Sequence, residues 1–325
     1  MTIKSSGSLN TTEIVAEWEG SQPNSLSEYY SGGSLVFSGA ADGDGNVIPS
    51  SGAISFSDFY NTTAFQAAGS NTTATSSQTI TAPTGANALY VFRMVAGGGG
   101  GHSALGYDKA GGESPGGGGA GGGAAAGHYI MGTAFHYTHA SGGAGYTGPF
   151  HNINTFGQAV GTGGADGGAA TLKSTNSSGT ALLTLGGGGG SKTTSQSFVQ
   201  GPMRANAATT GGSASKNTGV SGFNFVTSGT TAGGASISTG SLTAGTGGGA
   251  GNNCSGDNCS VAGVAGGASA FAAGGAGGSI STNSQGGDGS SGSGGGGSGN
   301  NGGTVTSSAG GDGGAGFLTY LWVRI

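Results

Sequence analysis

The sequence is poor in charge, proline, cysteine and long apolar runs. Its 325 residues include 8 Lys plus Arg and 13 Asp plus Glu, for a formal net charge of −5. Binding to a phosphate backbone requires a basic patch, so this balance argues against a nucleic-acid-binding protein. The chain has no run of about 18 apolar residues, so it predicts no membrane insertion. Residues 1–6 also lack the apolar stretch of a secretory signal.

Glycine is what the sequence has in excess. It supplies 81 of the 325 residues, whereas an average protein contains about 7%. With 6 prolines and no strict Gly-X-Y period, a collagen triple helix is excluded. Disordered chains usually combine low hydrophobicity with high net charge, and the charge is missing here. A flexible Gly/Ser chain and an ordered array of glycine helices remain, and we expect the array.

The expected array consists of polyglycine-II helices. A left-handed helix of the polyproline-II type has three residues per turn and no internal hydrogen bonds. Its N–H and C=O groups point outward and need partners, and glycine lets neighbouring helices approach closely enough to supply them. We predict such helices from about Gly97 to Gly316, with very little α-helix in this range.

Two strand-like segments frame the glycine-rich region. Ala88–Val95 comes directly before it, and Phe317–Ile325 ends the chain. Both faces of the second segment are apolar, so we expect it to be covered on both sides and to lie beside the first. Between them, about ten glycine runs alternate with richer segments, which suggests repeated crossings. The richer segments, expected to be loops, are 127–158, 191–210 with 216–226, and 251–260.

Residues 1–66 differ from the rest in composition. Asn10 followed by Glu13 predicts a capped helix start, and Ile14, Val15 and Trp18 give it an apolar stripe, with Gly20 as a stop signal. The segments 25–30 and 55–60 share the order Ser, apolar, Ser, acid, aromatic, Tyr. Each predicts a Ser-capped helical turn that buries aromatic side chains.

The N-terminal region resembles a known family. Residues 3–9, 25–30 and above all 48–60 (Ile-Pro-Ser-Ser-Gly-Ala-Ile-Ser-Phe-Ser-Asp-Phe-Tyr) look like the N-terminal module of tailed-phage tail and fibre proteins. This resemblance implies attachment to other virion tail or fibre proteins and localisation in the virion tail. The residues expected to carry the attachment are Ile14, Trp18, Tyr29, Tyr30, Phe56, Phe59 and Tyr60.

The remainder resembles a second feature of the same group of proteins. Residues 78–83, the strand 88–95 and the closing segment 313–325 are similar to the frame of glycine-rich phage tail domains. The glycine runs resemble the polyglycine-II sandwich of phage tail-fibre tip adhesins, whose loops touch the host. The expected fold is thus mostly β and irregular: an attachment module (1–66), a linker with an entry strand (67–87), and a glycine-rich domain (88–325) closed by strand 317–325.

The resemblance implies a receptor-binding adhesin that acts on a bacterial surface glycan or outer-membrane protein, as a monomer or homo-oligomer. Two alternatives stay open: a non-adhesive spacer or decoration subunit of the virion, and a tail-borne polysaccharide hydrolase. We expect no enzyme, since the insert's acids are scattered singly and pair nowhere in the sequence. A phosphate-binding loop is also lacking, and no cofactor is expected.

Aromatic side chains and histidines interrupt the glycine texture and are the candidate receptor-binding residues. Such rings supply contact area with a polar handle, but they would equally well pack against one another as an internal core. The candidates are Tyr129, Phe135, His136, Tyr137, His139, Tyr146, Phe150, His151, Phe156, Phe198, Met203, Phe223 and Phe225.

Histidine and cysteine spacing indicates no metal site. His136 and His139 could offer two ligands, but a closed site usually needs three or four. Cys254 and Cys259 are the only cysteines, and their spacing suits a small disulfide loop better than zinc. Two free buried thiols are the alternative.

Overall fold

A computed structural model describes most of the chain. The described residues are 3–18, 25–33, 35–36, 40, 46–62, 71–83, 85–103, 116–146, 163–192, 210–230, 236–249, 262–279, 285–299 and 309–325. Their helical elements are α1 (Thr11–Trp18) and two 3₁₀ helices, Leu26–Tyr29 and Phe56–Phe59. Their strands are β1 (Thr72–Ala74), β2 (Gln78–Thr81), β3 (Ala88–Val95), β4 (Ala124–Met131), β5 (Ala134–Thr138), β6 (Ala170–Ser174), β7 (Ala181–Leu185), β8 (Ala214–Lys216), β9 (Phe225–Val226), β10 (Gly229–Thr230), β11 (Ser236–Ile237), β12 (Ser241–Thr243) and β13 (Phe317–Val323).

The helix α1 begins at the predicted cap. The Asn10 N–H donates to Glu13 Oε2 (3.0 Å), and the Glu13 N–H donates to Asn10 Oδ1 (3.1 Å). This reciprocal pair satisfies two of the donors that a helix start leaves without partners. Ile14 and Trp18 are the buried apolar side chains of the helix, and they belong to a hydrophobic core formed within the N-terminal 62 residues.

The N-terminal region is a duplicated unit whose copies pair crosswise. Each 3₁₀ helix starts with a serine whose N–H bonds the acid three residues later, as predicted. The hydroxyl of Tyr30 donates to the carbonyl of Gly52, and that of Tyr60 donates to Gly7. Both glycines have positive φ and occupy the third position of a Ser-Ser-Gly motif. Each Ser-Ser-Gly segment thus bonds the 3₁₀ helix of the other copy.

Two antiparallel sheets form the base of the glycine-rich domain. The first has the strand order β1-β13-β3-β4-β12, with β9 also paired to β4, and the second has the order β2-β5-β6-β7-β8. The closing strand β13 lies beside β3, as predicted. The fold is mostly β, also as predicted, although β1 shows that part of the expected linker is a strand of the first sheet.

The two sheets share one hydrophobic core. Along β5 the side chains alternate, so that Phe135 and Tyr137 are buried while their neighbours are half-buried, which is the period-two pattern of a strand with one covered face. The ring of Phe135 from the second sheet lies 5.7 Å from that of Trp322 from the first. Leu89, Ile130 and further apolar residues complete the same cluster.

Strands of this base continue directly into glycine runs. The described chain contains twelve runs that are neither helix nor strand and that bond to one another through backbone. In chain order they are run 1 (96–103), run 2 (116–123), run 3 (140–146), run 4 (163–168), run 5 (186–192), run 6 (210–213), run 7 (245–249), run 8 (262–268), run 9 (273–279), run 10 (285–289), run 11 (293–299) and run 12 (309–316).

The hydrogen bonds of run 1 repeat every three residues. Ala96, Gly99 and His102 donate to run 2 at Gly123, Ala120 and Gly117. Gly97 and Gly100 donate to run 4, and Gly98 and Gly101 donate to run 12. Run 1 accepts in the same rhythm from runs 3, 5 and 11. Successive residues therefore face three different directions, and run 1 has six neighbouring runs.

Three runs form the centre of the bundle. Runs 1, 2 and 11 bond one another, and each also bonds four of the other nine runs. Those nine form a closed ring in the order 3, 4, 5, 6, 7, 8, 9, 10, 12, with every adjacent pair bonded. Three inner runs within a ring of nine are a hexagonal packing, in which each inner chain has six neighbours.

Runs alternate in direction along the chain. The bond registers place every odd-numbered run parallel to run 1 and every even-numbered run antiparallel to it. At about 3.1 Å per residue, run 1 is about 25 Å long. One end of the bundle joins the two sheets; we call the opposite end, where run 1 finishes at Ser103, the distal end.

Sterics explain where glycine is required. A Cβ at Gly99 in an inner run would lie 2.2 Å from the Gly189 carbonyl oxygen, which no real side chain permits. Outer runs have one free side, and there every third residue can carry a side chain. In run 8 these are Ala262, Ala265 and Ala268, which are exposed or half-exposed.

Candidate functional site

Six connections between successive runs begin and end at the distal end. Runs 1, 3, 5, 7, 9 and 11 all point towards this end, and the runs that follow them all return from it. The segments in between are 104–115, 147–162, 193–209, 250–261, 280–284 and 300–308, which lie outside the described residues. By contrast, the described connections at the other end include strands of the two sheets and short turns, such as 269–272 and 290–292.

An aromatic pair lies at the distal end. The imidazole of His102, at the end of inner run 1, stacks on the ring of Tyr146 from run 3 with centroids 5.2 Å apart. His102 is fully buried. Its Nδ1 lies 2.6 Å from the Ser103 carbonyl oxygen, and Nε2 has no hydrogen-bond partner among the described residues. Because a carbonyl can only accept, Nδ1 carries the proton and Nε2 is a bare acceptor.

Burial changes the protonation of this histidine. Desolvation lowers the pKa of His102 below its ordinary value, and the bond to the Ser103 carbonyl offsets part of that effect. Desolvation penalises the charged form of a base, so the imidazole is neutral at pH 7. Two buried serines, Ser103 and Ser298, lie beside it at the ends of inner runs 1 and 11.

On the outside of the bundle, acidic side chains accept hydrogen bonds from backbone N–H groups in place of a neighbouring run. Asp312 Oδ1 accepts from the Gly145 N–H (2.6 Å), and Asp288 Oδ1 accepts from the Asp312 N–H (2.9 Å). Asp166 accepts from the Gly190 N–H (2.8 Å), which lowers the pKa of its carboxyl together with the ion pair to Lys192 (3.3 Å). The three scattered acids of the insert that the structure describes therefore accept hydrogen bonds from backbone donors of other runs.

Several predicted receptor-binding rings lie in the core of the sheets, and for these the prediction was wrong. Phe135 and Tyr137 are fully buried and Tyr129 is 8% exposed. Desolvation raises the pKa of the Tyr137 phenol far above its ordinary value. The segment that we expected to be a loop contains β4 and β5, so the alternative of internal packing applies to these rings.

The other described candidates are half-buried. His136 Nδ1 contacts Thr79 Oγ1 across the second sheet (3.1 Å), and His139 lies edge-on to Tyr137. Phe223 packs against Phe135, and Phe225 packs against His128. All four belong to the sheet end. Tyr146 is the one described candidate at the distal end.

The remaining candidates fall outside the described residues. Phe150, His151 and Phe156 lie in segment 147–162, Phe198 and Met203 in segment 193–209, and Cys254 and Cys259 in segment 250–261. Each of these segments starts from the distal end and returns to it. The disulfide prediction therefore stays a prediction.

The predicted attachment residues divide into buried and accessible ones. Ile14, Trp18, Tyr29 and Phe59 are buried; the rings of the last two meet edge-on with centroids 6.1 Å apart. These four belong to the hydrophobic core of the N-terminal unit. Tyr30 and Tyr60 are half-buried and hydrogen-bonded, and Phe56 is 37% exposed.

Comparison with known proteins adds no relative. No protein-family model matches the chain, and no curated protein matches it significantly. Among the described residues, no helix is long and apolar enough to cross a membrane, and no three His, Cys, Asp or Glu side chains converge as metal ligands would.

Sequence reasoning missed His102 as a site residue. It is the only histidine that directly follows an unbroken run of five glycines. A large ring directly after five glycines indicates that the glycine run is about to end. This position was the sequence signal for His102. The acidic caps were missed because their partners are backbone groups of distant runs.

Proposed function

We propose that the chain is a tail-associated phage protein that binds the host surface with the distal end of its glycine bundle. The observation that carries the proposal is the common end at which six segments leave and rejoin the bundle. Loops positioned by a rigid scaffold are where proteins commonly place binding residues. A receptor surface needs side chains, and the bundle interior offers almost none.

The scaffold in this proposal is polyglycine-II. The three-residue period of the hydrogen bonds, the six neighbours of each inner run and the negative φ of the glycines in runs 1 and 2 support it. A lattice held by backbone bonds on every side keeps the ends of neighbouring runs at fixed spacing. It therefore presents six segments at once without a large apolar core at that end.

The proposed partner is a bacterial surface glycan or outer-membrane protein, and the proposed attachment region is the N-terminal unit. Segments 147–162 and 193–209 hold the aromatic residues Phe150, Phe156 and Phe198. Interface energy concentrates in a few aromatic or Arg side chains, so we assign the main contacts to these rings. The protein acts by binding and needs no cofactor.

The test is adsorption of the purified, labelled full chain to intact cells of a panel of bacteria. The variants are Phe150→Ala with Phe156→Ala at the distal segment, and Phe225→Ala at the sheet end as a matched control. We expect the double variant to lose about 30-fold or more in affinity, the size of a hot-spot loss, and the control to bind normally. Normal binding by the double variant, or equal losses in both, would contradict the assignment to the distal end.

A spacer subunit predicts a different outcome. It would show no saturable adsorption to any host cell, even though the chain is folded and assembles into particles. Adsorption by whole particles but not by the isolated chain would therefore favour the spacer.

A further inference from the structure

His102 occupies the most enclosed position of the distal end. Run 1 is surrounded by six other runs, and the His102 backbone bonds Gly117 of run 2 through its N–H and Ser298 of run 11 through its carbonyl. The imidazole is fully buried and stacks on Tyr146. A change in its charge must be accommodated by the bundle, because bulk water does not reach the ring.

The neutral imidazole fits this place and the imidazolium does not. Nδ1 already donates to the Ser103 carbonyl, so the added proton would reside on Nε2. Nε2 is buried and has no acceptor among the described residues, and a buried donor left without a partner is unfavourable, the more so when it is charged. Protonation of His102 therefore disfavours the packed arrangement of the ends of runs 1, 3 and 11.

The charged groups on the adjoining runs do not compensate for this cost. Lys192 of run 5 and Asp166 of run 4 pair with each other at the surface. Asp312 of run 12 holds the Gly145 N–H with its carboxylate and is exposed. Runs 2 and 11 contact His102 through Gly117 and Ser298, and run 3 contacts it through the ring of Tyr146. In the part of the chain that the structure describes, no carboxylate contacts the imidazole.

We propose that His102 makes the distal end of the bundle acid-sensitive: the neutral ring keeps the ends of runs 1, 3 and 11 packed, and protonation releases them. The sheet end is unaffected, since it lies a full run length away. This device does not depend on host binding, because it concerns the order of the purified chain alone.

Linkage gives the direction and size of the effect. The pKa of His102 is lowered in the packed state, so the released state binds the proton more readily. Packing is fully stable above the ordinary histidine value of about 6.5 and weakens as the pH falls below it. At pH 5.5, one unit below that value, the equilibrium for local opening rises relative to pH 7.5, by at most about tenfold.

Hydrogen exchange on the full chain tests the proposal. Protection factors, corrected for intrinsic exchange rates, are compared at pH 7.5 and pH 5.5 for peptides that cover runs 1, 3 and 11. We expect a loss of protection in the wild type of up to about tenfold. His102→Gln and His102→Ser keep the site neutral, so both should remove the pH dependence; serine already occupies the comparable position 298 of run 11.

Two control variants locate the effect. His128→Gln removes another buried histidine, whose pKa is also lowered by burial but which lies at the sheet end; His136→Gln removes a half-buried one. Neither should alter the acid response of runs 1, 3 and 11. Equal protection at both pH values in the wild type overturns the proposal, as does an acid response that persists in both His102 variants.

Discussion

Two neighbouring glycines of run 5 have different surroundings. A Cβ on Gly188 would lie 2.0 Å from the Ala120 carbonyl oxygen of inner run 2, whereas a Cβ on Gly189 would meet only the Thr210 carbonyl oxygen at 3.4 Å. Glycine content alone therefore does not say which glycines the bundle needs. The direction in which each residue faces decides it.

The first prediction compares alanine at these two positions. Gly188→Ala forces run 5 away from run 2 and should cost about 3 kcal/mol or more, the upper range for overpacking a tight interior. Gly189→Ala should change stability by less than about 0.5 kcal/mol, as surface substitutions do. The measurement is the denaturant midpoint of each variant. Similar midpoints would show that the runs are packed loosely enough to tolerate side chains anywhere.

The second prediction concerns Tyr137, a residue that we expected to face a receptor. The ring is fully buried, and its hydroxyl has no hydrogen-bond partner in the part of the chain that the structure describes. Tyr137→Ala should lower stability by about 3–5 kcal/mol, as for other large aromatic truncations in a core, with unchanged adsorption per folded molecule. Tyr137→Phe should be neutral or stabilising, because it removes a buried polar group that lacks a partner.

Melting curves and cell adsorption of both Tyr137 variants check this. A Phe variant that melts well below the wild type would mean that the hydroxyl has a partner. An Ala variant that keeps its melting temperature but loses adsorption would return the ring to the binding surface.

Elements of this chain differ in how clearly the sequence predicts them. β3 and β13 combine apolar residues on both faces with a position next to glycine runs, and both were predicted with their pairing. β5 carries the same signal more faintly: Phe135 and Tyr137 alternate with polar or small residues, which is the period of a half-covered strand. The density of rings in that segment is compatible with a loop or a strand, whereas their alternation indicates the strand.

Apart from the pairing of β3 with β13, contacts between distant elements could not be predicted from the sequence. The registers of the runs rest on backbone bonds that nearly identical glycine sequences could make in several ways. The crosswise pairing of the N-terminal copies is similar: the repeated serine-capped helix was visible, but which Ser-Ser-Gly segment each tyrosine bonds depends on the folded chain.

The third prediction tests that crosswise pairing. The Tyr30 hydroxyl donates to the Gly52 carbonyl, and the Tyr60 hydroxyl donates to the Gly7 carbonyl. Because the two sites are equivalent, Tyr30→Phe and Tyr60→Phe should each cost about 1 kcal/mol, the usual net value of a hydrogen bond. The readout is thermal unfolding of the N-terminal unit within the full chain. A cost confined to one variant would show that the copies do not contribute equally.

The whole molecule contains two separate hydrophobic cores and a backbone lattice. One core lies within residues 3–59, and the other lies between the two sheets. The lattice has almost no side chains in its interior and depends on the sheets to fix the entry and exit of its runs. Apolar burial therefore stabilises the N-terminal unit and the base, while backbone hydrogen bonds organise the part that reaches the distal end.

The last prediction follows from this division of the chain. The N-terminal unit closes on itself, since the Ile3 N–H donates to the Thr62 carbonyl (3.0 Å) and the Asn61 N–H donates to the Lys4 carbonyl (3.3 Å). A chain that starts after residue 66 should keep the melting behaviour of the sheets and the bundle, because their core contains residues from 74 onward. The same chain should be lost from assembled particles if the N-terminal unit is the attachment region.

Phe56→Ser is the finer variant: Phe56 is 37% exposed, so its loss should reduce particle occupancy without unfolding the unit, whereas the buried Phe59→Ser should unfold it. Quantifying the chain in purified particles and its melting curve for all three variants decides the matter. Normal occupancy of the truncated chain would place the attachment region in the glycine-rich domain instead.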